Sequence, residues 1–286
     1  MTDDRGIYSQ LGVSSRKKEV HEAIKSLDKG VFPGAFCKIV KDVENRSSHC
    51  SVFHSDGAGT KSSLAYMYFK ETNDINVFRG IVRDAIVMNI DDMLCVGATG
   101  QYFISNNIGR NSKFIPGEVI SVIIDEYDKF CEKITSFGLN TILCGGETAD
   151  VGDLVKTILV DASVFTTMRR DLVIDAKNIS KNDVIVGLAS FGQASYEEEY
   201  NSGIGSNGLT LARHGVLNHD YFYKYPECYD HNIDEELLFF GNHSLTESLK
   251  GINLNVGKAL LSPTRTYAPI LLEVLKEYRG SIHGII

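Results

Sequence analysis

The sequence predicts a mixed α/β chain that divides into two parts near residue 171. Residues 50–70 have the pattern of a strand, a glycine turn and a helix, and further strands and helices follow up to residue 167. Residues 168–180 are rich in polar side chains, which is typical of a linker. A chain of 286 residues is long enough for two ordinary domains. We therefore expect domains at residues 1–171 and 172–286.

Hydrophobic periodicity places the elements of the first part. The predicted strands cover residues 36–41, 50–54, 101–107, 141–144 and 156–167, and the predicted helices cover residues 16–27, 60–70, 78–96 and 116–137. Gly138 marks the end of the last helix. A glycine turn is expected after the strand that ends at His54 and a second one, at residues 145–150, after the strand at 141–144.

The second part has fewer elements. The patterns predict a strand at residues 183–190, helices at 209–214 and 268–278, and the start of a strand at 281–286. A polar excursion separates the first two elements, at residues 191–205, and a segment rich in tyrosine and acidic residues covers 219–240. Because the pattern stops within an element, we expect this part to be incomplete.

Composition excludes several classes of protein. The hydrophobic content of 43% and the charged content of 23% are typical of globular chains. The net charge of −8 and the lack of a long Lys/Arg block argue against nucleic-acid binding. No apolar run approaches the ~18 residues that a membrane span needs. The acidic, polar N-terminus does not resemble a signal peptide, and the six cysteines are scattered. We therefore expect reduced thiols and a cytoplasmic location.

The first glycine turn carries an acidic residue. It has the sequence Asp56-Gly57-Ala58-Gly59-Thr60-Lys61. Backbone N–H groups at a helix start suit an anion such as phosphate. A carboxylate beside phosphate requires a cation between them, and Mg²⁺ prefers these oxygen ligands. The turn therefore predicts a phosphate site bridged by a metal. An ordinary Asp-Gly turn with a solvated lysine fits this stretch equally well.

Further carboxylates lie among apolar neighbours. Asp84, Asp91 and Asp92 lie in the predicted helix at 78–96, where positions seven or eight apart share a face. Asp161 lies in mid-strand between Val160 and Ala162. Carboxylates are costly to bury without a partner, so these positions indicate a cation site. For the helix, a solvated polar face is the alternative.

Five motifs together resemble aminoimidazole ribonucleotide synthetase, also called phosphoribosylformylglycinamidine cyclo-ligase. They occur in the order of that family and cover nearly the whole chain. They are Asp56 to Lys61, then Asp84 with Asp91-Asp92 and Gly97-Ala98, then Gly145-Gly146-Glu147-Thr148-Ala149, then Ser206-Asn207-Gly208, and then Pro263-Thr264-Arg265-Thr266-Tyr267.

The resemblance implies a fold and an activity. The fold is α/β (α+β) with two domains, of which the N-terminal one forms a β-barrel shared between the subunits of a homodimer. The activity is ring closure of formylglycinamidine ribonucleotide to aminoimidazole ribonucleotide, with ATP converted to ADP and phosphate. ATP and Mg²⁺ are the implied cofactors, and purine biosynthesis is the implied pathway.

The resemblance also implies residue roles. Metal ligands would be Asp56, Asp84, Asp91 and Asp92. Nucleotide contacts would come from Asp56, Gly57, Gly59, Thr60, Lys61, Gly146, Glu147, Thr148, Asp161, Ser206 and Asn207. Lys61, Asp92 and Arg265 are the expected catalytic residues. Arg265 would bind a substrate phosphate, or it would pair structurally with a carboxylate.

One departure from the family keeps other functions open. Gly205 stands where the family has a histidine before Ser-Asn-Gly. A relative that passes phosphate to another acceptor, such as selenophosphate synthetase or an amidotransferase, is one alternative. The first of these needs a reactive cysteine in a glycine-rich loop, whereas Cys37 lies in a strand-like run. A scaffold that binds ATP without turnover is the other alternative.

Overall fold

A computed structural model of the chain describes residues 6–14 and 16–286. The N-terminal stretch 1–5, on which the prediction of no signal peptide rests, lies outside the described residues. The structure confirms the mixed α/β class, since one five-stranded sheet packs against helices. Within the described ranges, no helix has both the length and the apolar character needed to span a bilayer.

The sheet is built from the first part of the chain. Its strands are β1 (Ile39–Lys41), β2 (His49–Gly57), β3 (Tyr102–Arg110), β4 (Thr141–Asp150) and β5 (Ile158–Arg169). Their order across the sheet is β1-β2-β5-β3-β4. Only the pair of β3 and β4 is parallel, and the other three neighbouring pairs are antiparallel. A parallel pair requires a crossover connection, which the long helix between β3 and β4 provides.

The helices confirm most of the predicted positions. They are α1 (Ile7–Gln10), α2 (Lys18–Ile24), α3 (Lys61–Thr72), α4 (Val77–Cys95), α5 (Gly117–Ser136), α6 (Leu209–Val216), α7 (Asp220–Lys224), α8 (Val256–Leu261) and α9 (Ala268–Tyr278). Short 3₁₀ turns lie at Arg170–Leu172 and Ala176–Asn178, inside the predicted linker. The domain boundary near residue 171 stays a prediction.

Helices α3, α4 and α5 cover one face of the sheet. The side chains of strand β5 alternate between the two faces of the sheet. Val160, Ala162 and Val164 point to the covered face and are fully buried there. From α4, Ile86 and Ile90 are also fully buried in this core. Burying one such side chain stabilises the fold by roughly 1.5–3 kcal/mol. Residues of α6, α8 and α9 belong to the same core, so the second part of the chain extends it.

The other face of the sheet is open. Phe53, Phe165, Phe103 and Ile142 stand opposite one another in register across β2, β5, β3 and β4. Phe53 is 64% exposed, and Phe103 and Ile142 are each 40% exposed. A contiguous apolar row on an otherwise exposed sheet face is typical of an interaction surface.

Two predicted strands are not formed in the structure. Residues 183–190 have no regular secondary structure, and Ile185 is 100% exposed. Residues 281–286 begin in a 3₁₀ turn and contain no strand. Among the described residues beyond Arg169, β-type pairing is limited to isolated bridges, and no strand forms. The apolar patterns are typical of strands, but a strand also requires a neighbour that supplies hydrogen bonds.

The predicted second glycine turn was wrong. Residues 145–150 continue strand β4 beside β3 instead of leaving the sheet. The pairing of β4 with β3 is irregular at this point: Gly145 has a positive φ of +82°, and the register shifts between Ile104 and Asn106. The side chains that follow therefore lie along an edge strand and not over a helix start.

The two segments with unusual composition fold differently. Residues 191–205 contain no helix or strand, apart from one bridge between Gly192 and Asn201. Residues 219–240 form α7 and an aromatic cluster, in which Phe222 stacks on Tyr229 with ring centroids 5.0 Å apart. This cluster packs beside α3, whose Tyr66 donates a hydrogen bond to Glu227 at 2.6 Å.

Candidate functional site

The end of β2 carries the first acidic residue of the site. Asp56 is the penultimate residue of the strand, so the turn proper begins only after Gly57. Gly57 pairs with Asp161 of β5, and a Cβ at position 57 would overlap the Asp161 carboxylate. Glycine is therefore required there by a neighbouring side chain. An open pocket lies over this point, lined by Ser55, Asp56, Gly57, Gly59 and Asp161.

Asp92, in the last turns of α4, lies close to the end of β2. Its Oδ2 lies 3.4 Å from Nε2 of His54, two residues before Asp56 on β2. The other ring nitrogen of His54 lies 3.0 Å from Oδ1 of Asn89. Asn89 also donates to the carbonyl oxygens of Asp56, at 3.2 Å, and Ala162, at 3.1 Å. These bonds fix the end of α4 against β2 and β5.

His54 and Asn89 were not predicted from the sequence. Each had a local signal, since His54 lies on the same strand face as Asp56 and Asn89 is a polar residue in an apolar stretch one turn before Asp92. Only the packing of α4 on the sheet joins the two signals.

The carboxylates of this site repel one another. Burial raises the pKa of Asp92, which the neighbouring His54 lowers and the charge of Asp56 raises further. Burial also raises the pKa of Asp161, and Asp56 again adds to the shift. The charge of Asp56 therefore acts on the pKa of both Asp92 and Asp161. A bound cation would relieve this repulsion.

The donor set fits a metal that arrives with phosphate. In residues 6–14 and 16–286, no three His, Cys, Asp or Glu side chains are placed to hold a metal ion by themselves. Mg²⁺ is usually held by one or two carboxylates together with phosphate oxygens and water. Asp56 and Asp161 line the open pocket and Asp92 lies within electrostatic range of Asp56, so their carboxylates are oxygen donors of the kind that such an ion takes.

The structure places Asp84 and Lys61 outside this acidic site. Both side chains are fully buried, and Nζ of Lys61 donates to Oδ1 of Asp84 at 3.0 Å. Nζ also donates to the carbonyl oxygens of Ser262, at 2.5 Å, and Gly205, at 3.0 Å. Burial lowers the pKa of Lys61, which Asp84 opposes. All these groups hold the ammonium inside the protein, away from the pocket.

Asp91 is likewise separated from Asp92. Its Oδ1 accepts a hydrogen bond from Oγ1 of Thr266 at 2.8 Å, and its Oδ2 accepts one from the backbone N–H of Tyr267 at 2.7 Å. Oδ1 of Asp84 accepts from both the N–H and the hydroxyl of Thr264, at 2.7 and 2.6 Å. The two aspartates, two helical turns apart, thus fasten residues 263–267 to α4.

Arg265 pairs with a carboxylate in the structure, which is one of the two possibilities that the sequence left open. Its guanidinium forms a two-point pair with Glu197, at 2.8 Å and 2.5 Å. It also donates to the carbonyl oxygen of Gly192 at 2.8 Å, and its side chain is only 7% exposed. Arg265 therefore anchors the excursion at residues 191–205.

The remaining predicted residues divide into two groups. Ser206 and Asn207 precede α6, and the hydroxyls of Thr60 and Thr210 lie 2.8 Å apart, so this loop adjoins the first glycine turn. Gly146, Glu147 and Thr148 lie on the exposed edge strand β4. Glu147 shares a register row with Gly57, three strands away, which is about 14 Å at the usual strand spacing.

Sequence comparisons agree with the motifs. Residues 34–168 match the family described as AIR synthase related protein, N-terminal domain. A phosphoribosylformylglycinamidine cyclo-ligase of Alkaliphilus metalliredigens is 26% identical, over 96% of this chain and 70% of that protein. One of Desulfotalea psychrophila is 28% identical, over 98% of this chain and 68% of that protein. One of Methanocaldococcus jannaschii is 28% identical, over 82% of this chain and 53% of that protein.

A solved structure of phosphoribosylformylglycinamidine synthase II from Thermotoga maritima aligns with 59% of this chain and 24% of that one, at 19% identity and a TM-score of 0.35. The resemblance predicted from the five motifs is confirmed by the sequence matches. Over residues 34–168, the chain is therefore similar to the N-terminal domain of AIR synthase related proteins.

Proposed function

We propose that this protein is a phosphoribosylformylglycinamidine cyclo-ligase, which closes the imidazole ring of aminoimidazole ribonucleotide at the expense of ATP. Similarity to enzymes of that name over 96–98% of the chain supports the assignment. The observation that carries it is the position of Asp56, close enough to act electrostatically on both Asp92 and Asp161, beside a glycine turn that opens helix α3.

The chemistry asks the protein mainly for positioning and charge neutralisation. The amide oxygen of formylglycinamidine ribonucleotide is a poor leaving group, and phosphorylation by ATP makes it a good one. The neighbouring amine then attacks the activated carbon, phosphate leaves, and the five-membered ring closes. Such a reaction requires aligned reactants and stabilised phosphate charge more than a covalent nucleophile.

Each part of the site has a place in this proposal. Asp56 and Asp92, with Asp161, would hold Mg²⁺, which neutralises phosphate charge when bound. Gly59 and Thr60 lead into α3, whose first backbone N–H groups suit a phosphate. Ser206 and Asn207 would form the opposing wall. The charged groups of Lys61, Asp84, Asp91 and Arg265 bond within the protein, so these residues position the walls and would not touch the nucleotide.

We further propose that two copies pair through the open sheet face. The apolar row that contains Phe53 would then be buried, and the sheets of both copies would form the shared barrel. Gly146, Glu147 and Thr148 lie on the exposed edge strand of this face, so pairing would bring them into the interface region. A cytoplasmic location fits the six cysteines, all of which are free.

The proposed function is tested by ADP release and by formation of aminoimidazole ribonucleotide. With ATP, Mg²⁺ and formylglycinamidine ribonucleotide, Asp92→Asn should lower turnover at least about a hundredfold, since it removes a metal ligand from the reacting phosphates. Asp128→Asn, on the exposed side of α5, is the matched control. Release of ADP without the imidazole product would exclude the cyclo-ligase. Binding of ATP without turnover would indicate the scaffold.

A further inference from the structure

A second pocket lies on the helical side of the molecule. It has a volume of about 270 Å³ and is enclosed by the first turns of α4, the last turns of α5, the excursion at residues 191–205 and the segment after α8. It shares no lining residue with the acidic pocket at Asp56. Its volume is just below the range of about 300–1,000 Å³ that is typical of small-molecule sites, so any ligand is small.

The walls of this pocket carry both basic and acidic side chains, and two of the basic ones are only partly engaged by internal partners. Arg83 is 31% exposed, and only its Nε is bonded, to Glu126 at 2.6 Å. Its terminal amino groups have no hydrogen-bond partner in the described part of the chain. The Arg83 guanidinium also lies 5.7 Å from the centre of the Phe130 ring, which holds it in place. A half-buried guanidinium with free donors is suited to bind an anion.

A second cation in the pocket is held by a weak internal partner. Nζ of Lys133 lies 3.0 Å from Oε1 of Glu198, whose side chain is 74% exposed. The hydrogen bond and the charge of Lys133 lower the pKa of Glu198, and the charge of Arg83 lowers it further. An ion pair with one partner so exposed contributes little to stability, so a stronger anion can replace it. Glu198 thus lies beside Lys133 and within electrostatic range of Arg83, where a ligand anion would lie.

We propose that this pocket binds the phosphoryl group of a small phosphorylated molecule between Arg83 and Lys133, with Glu198 displaced. The planar guanidinium and the lysine ammonium both match phosphate oxygens. The aromatic side chains of Phe130, Phe137 and Tyr196 supply an apolar wall for the rest of the ligand. Glu198 belongs to the excursion that Arg265 anchors, so binding would loosen the outer part of that loop.

The experiment measures binding of pyrophosphate and of glycerol 3-phosphate by titration calorimetry, with EDTA present. Without a divalent metal, the acidic pocket at Asp56 repels phosphate, so a signal from the proposed ATP site is avoided. Removing Arg83 as Arg83→Gln should weaken binding about tenfold. Glu198→Gln should tighten it about threefold, because the internal competitor loses its charge. Arg169→Gln, which alters an exposed pair with Asp171 on the sheet, is the matched control.

Comparing the affinities for pyrophosphate and glycerol 3-phosphate shows which part of the ligand the pocket recognises. Equal affinities would mean that the phosphoryl group alone is recognised, and tighter binding of glycerol 3-phosphate would mean that the pocket also contacts the rest of the ligand. If Arg83→Gln proves unstable in thermal melting, Lys133→Gln replaces it and should weaken binding in the same way. Binding that requires Mg²⁺, or that neither substitution changes, would overturn the proposal, as would no binding to the wild type. These outcomes are independent of ring-closing activity.

Discussion

Lys61 and Asp84 form an ion pair in which both side chains are 0% exposed, with Nζ 3.0 Å from both carboxylate oxygens. The same ammonium also bonds the carbonyl oxygens of Gly205 and Ser262. One buried cation thus joins the start of α3 and the middle of α4 to two loops of the second part of the chain. The loops at 205–210 and 262–267 take their positions at the site from this junction.

Replacing Lys61 should therefore affect stability before it affects chemistry. Lys61→Met removes the cation and leaves the Asp84 carboxylate buried without its charge partner, which should cost about 3–5 kcal/mol of unfolding free energy. Urea denaturation measures this value. Lys70→Met, at the exposed end of the same helix, should change it by less than about 0.5 kcal/mol. A fully stable Lys61→Met that loses only ATP turnover would instead return Lys61 to the phosphate site.

The junction also explains which parts of the site could be predicted. The sequence placed Asp84, Asp91 and Asp92 on one long helix, and α4 contains all three. Helical spacing fixes the direction of a side chain but not the partner that meets it. Asp84 and Asp91 meet backbone and hydroxyl donors from residues 264–267, far along the chain, whereas Asp92 meets His54. Those partners depend on tertiary packing.

The same reasoning applies to the fold. Long periodic helices such as α4 and α5 and the alternating strand β5 follow from local pattern, and their positions were predicted closely. The segment at 183–190 has an equally good strand pattern but no neighbouring strand. Arg265 resembled a phosphate ligand until the fold brought Glu197 beside it. Both outcomes were decided by residues distant in sequence.

The open sheet face leads to a prediction about oligomeric state. Phe53→Asp places a charge in the middle of the apolar row, at a side chain that is 64% exposed in the single chain. If two copies pair through this face, the buried charge should weaken the dimer at least about a hundredfold. Sedimentation equilibrium measures the change. Ile124→Asp, at an exposed position on α5 on the opposite side of the sheet, should leave association unchanged. A wild type that is monomeric at all concentrations would contradict the proposed pairing.

The close contact at Gly57 gives a test that is specific for the acidic pocket. In Gly57→Ala the new methyl group would overlap the Asp161 carboxylate and come within 2.9 Å of the carbonyl oxygen of Val160. We expect Asp161 to be displaced, with a stability cost of about 1–3 kcal/mol.

A displacement of this kind should weaken binding of ATP with Mg²⁺ at least about tenfold. Fluorescence titration measures the affinity, and thermal melting shows how much of the variant is folded. Gly117→Ala is the matched control, because a Cβ there meets nothing within 4 Å. Unchanged ATP affinity in a folded Gly57→Ala protein would mean that Asp161 does not contact the nucleotide or its metal.

The burial of Asp91, which outweighs its hydrogen bonds from Thr266 and Tyr267, predicts how stability depends on pH. Burial raises the pKa of Asp91 to about 7 in the folded protein, against its ordinary value of 3.8. Between these two values the folded protein keeps a proton that the unfolded chain has lost. The free energy of unfolding should therefore fall as the pH rises from about 4 to about 7, and this contribution should be constant above that range.

Asp91→Asn removes the titration and keeps a side chain of similar shape. Urea denaturation from pH 4 to pH 8 should show the wild type losing stability relative to Asp91→Asn as the pH approaches 7. The reason is that the wild-type carboxyl group must either keep its proton or become a buried charge, whereas the amide does neither. Asp128→Asn, at an exposed position on α5, should run parallel to the wild type throughout. If Asp91→Asn also ran parallel, the carboxylate would be charged in the folded protein at pH 4, and its two hydrogen bonds would outweigh the cost of burial.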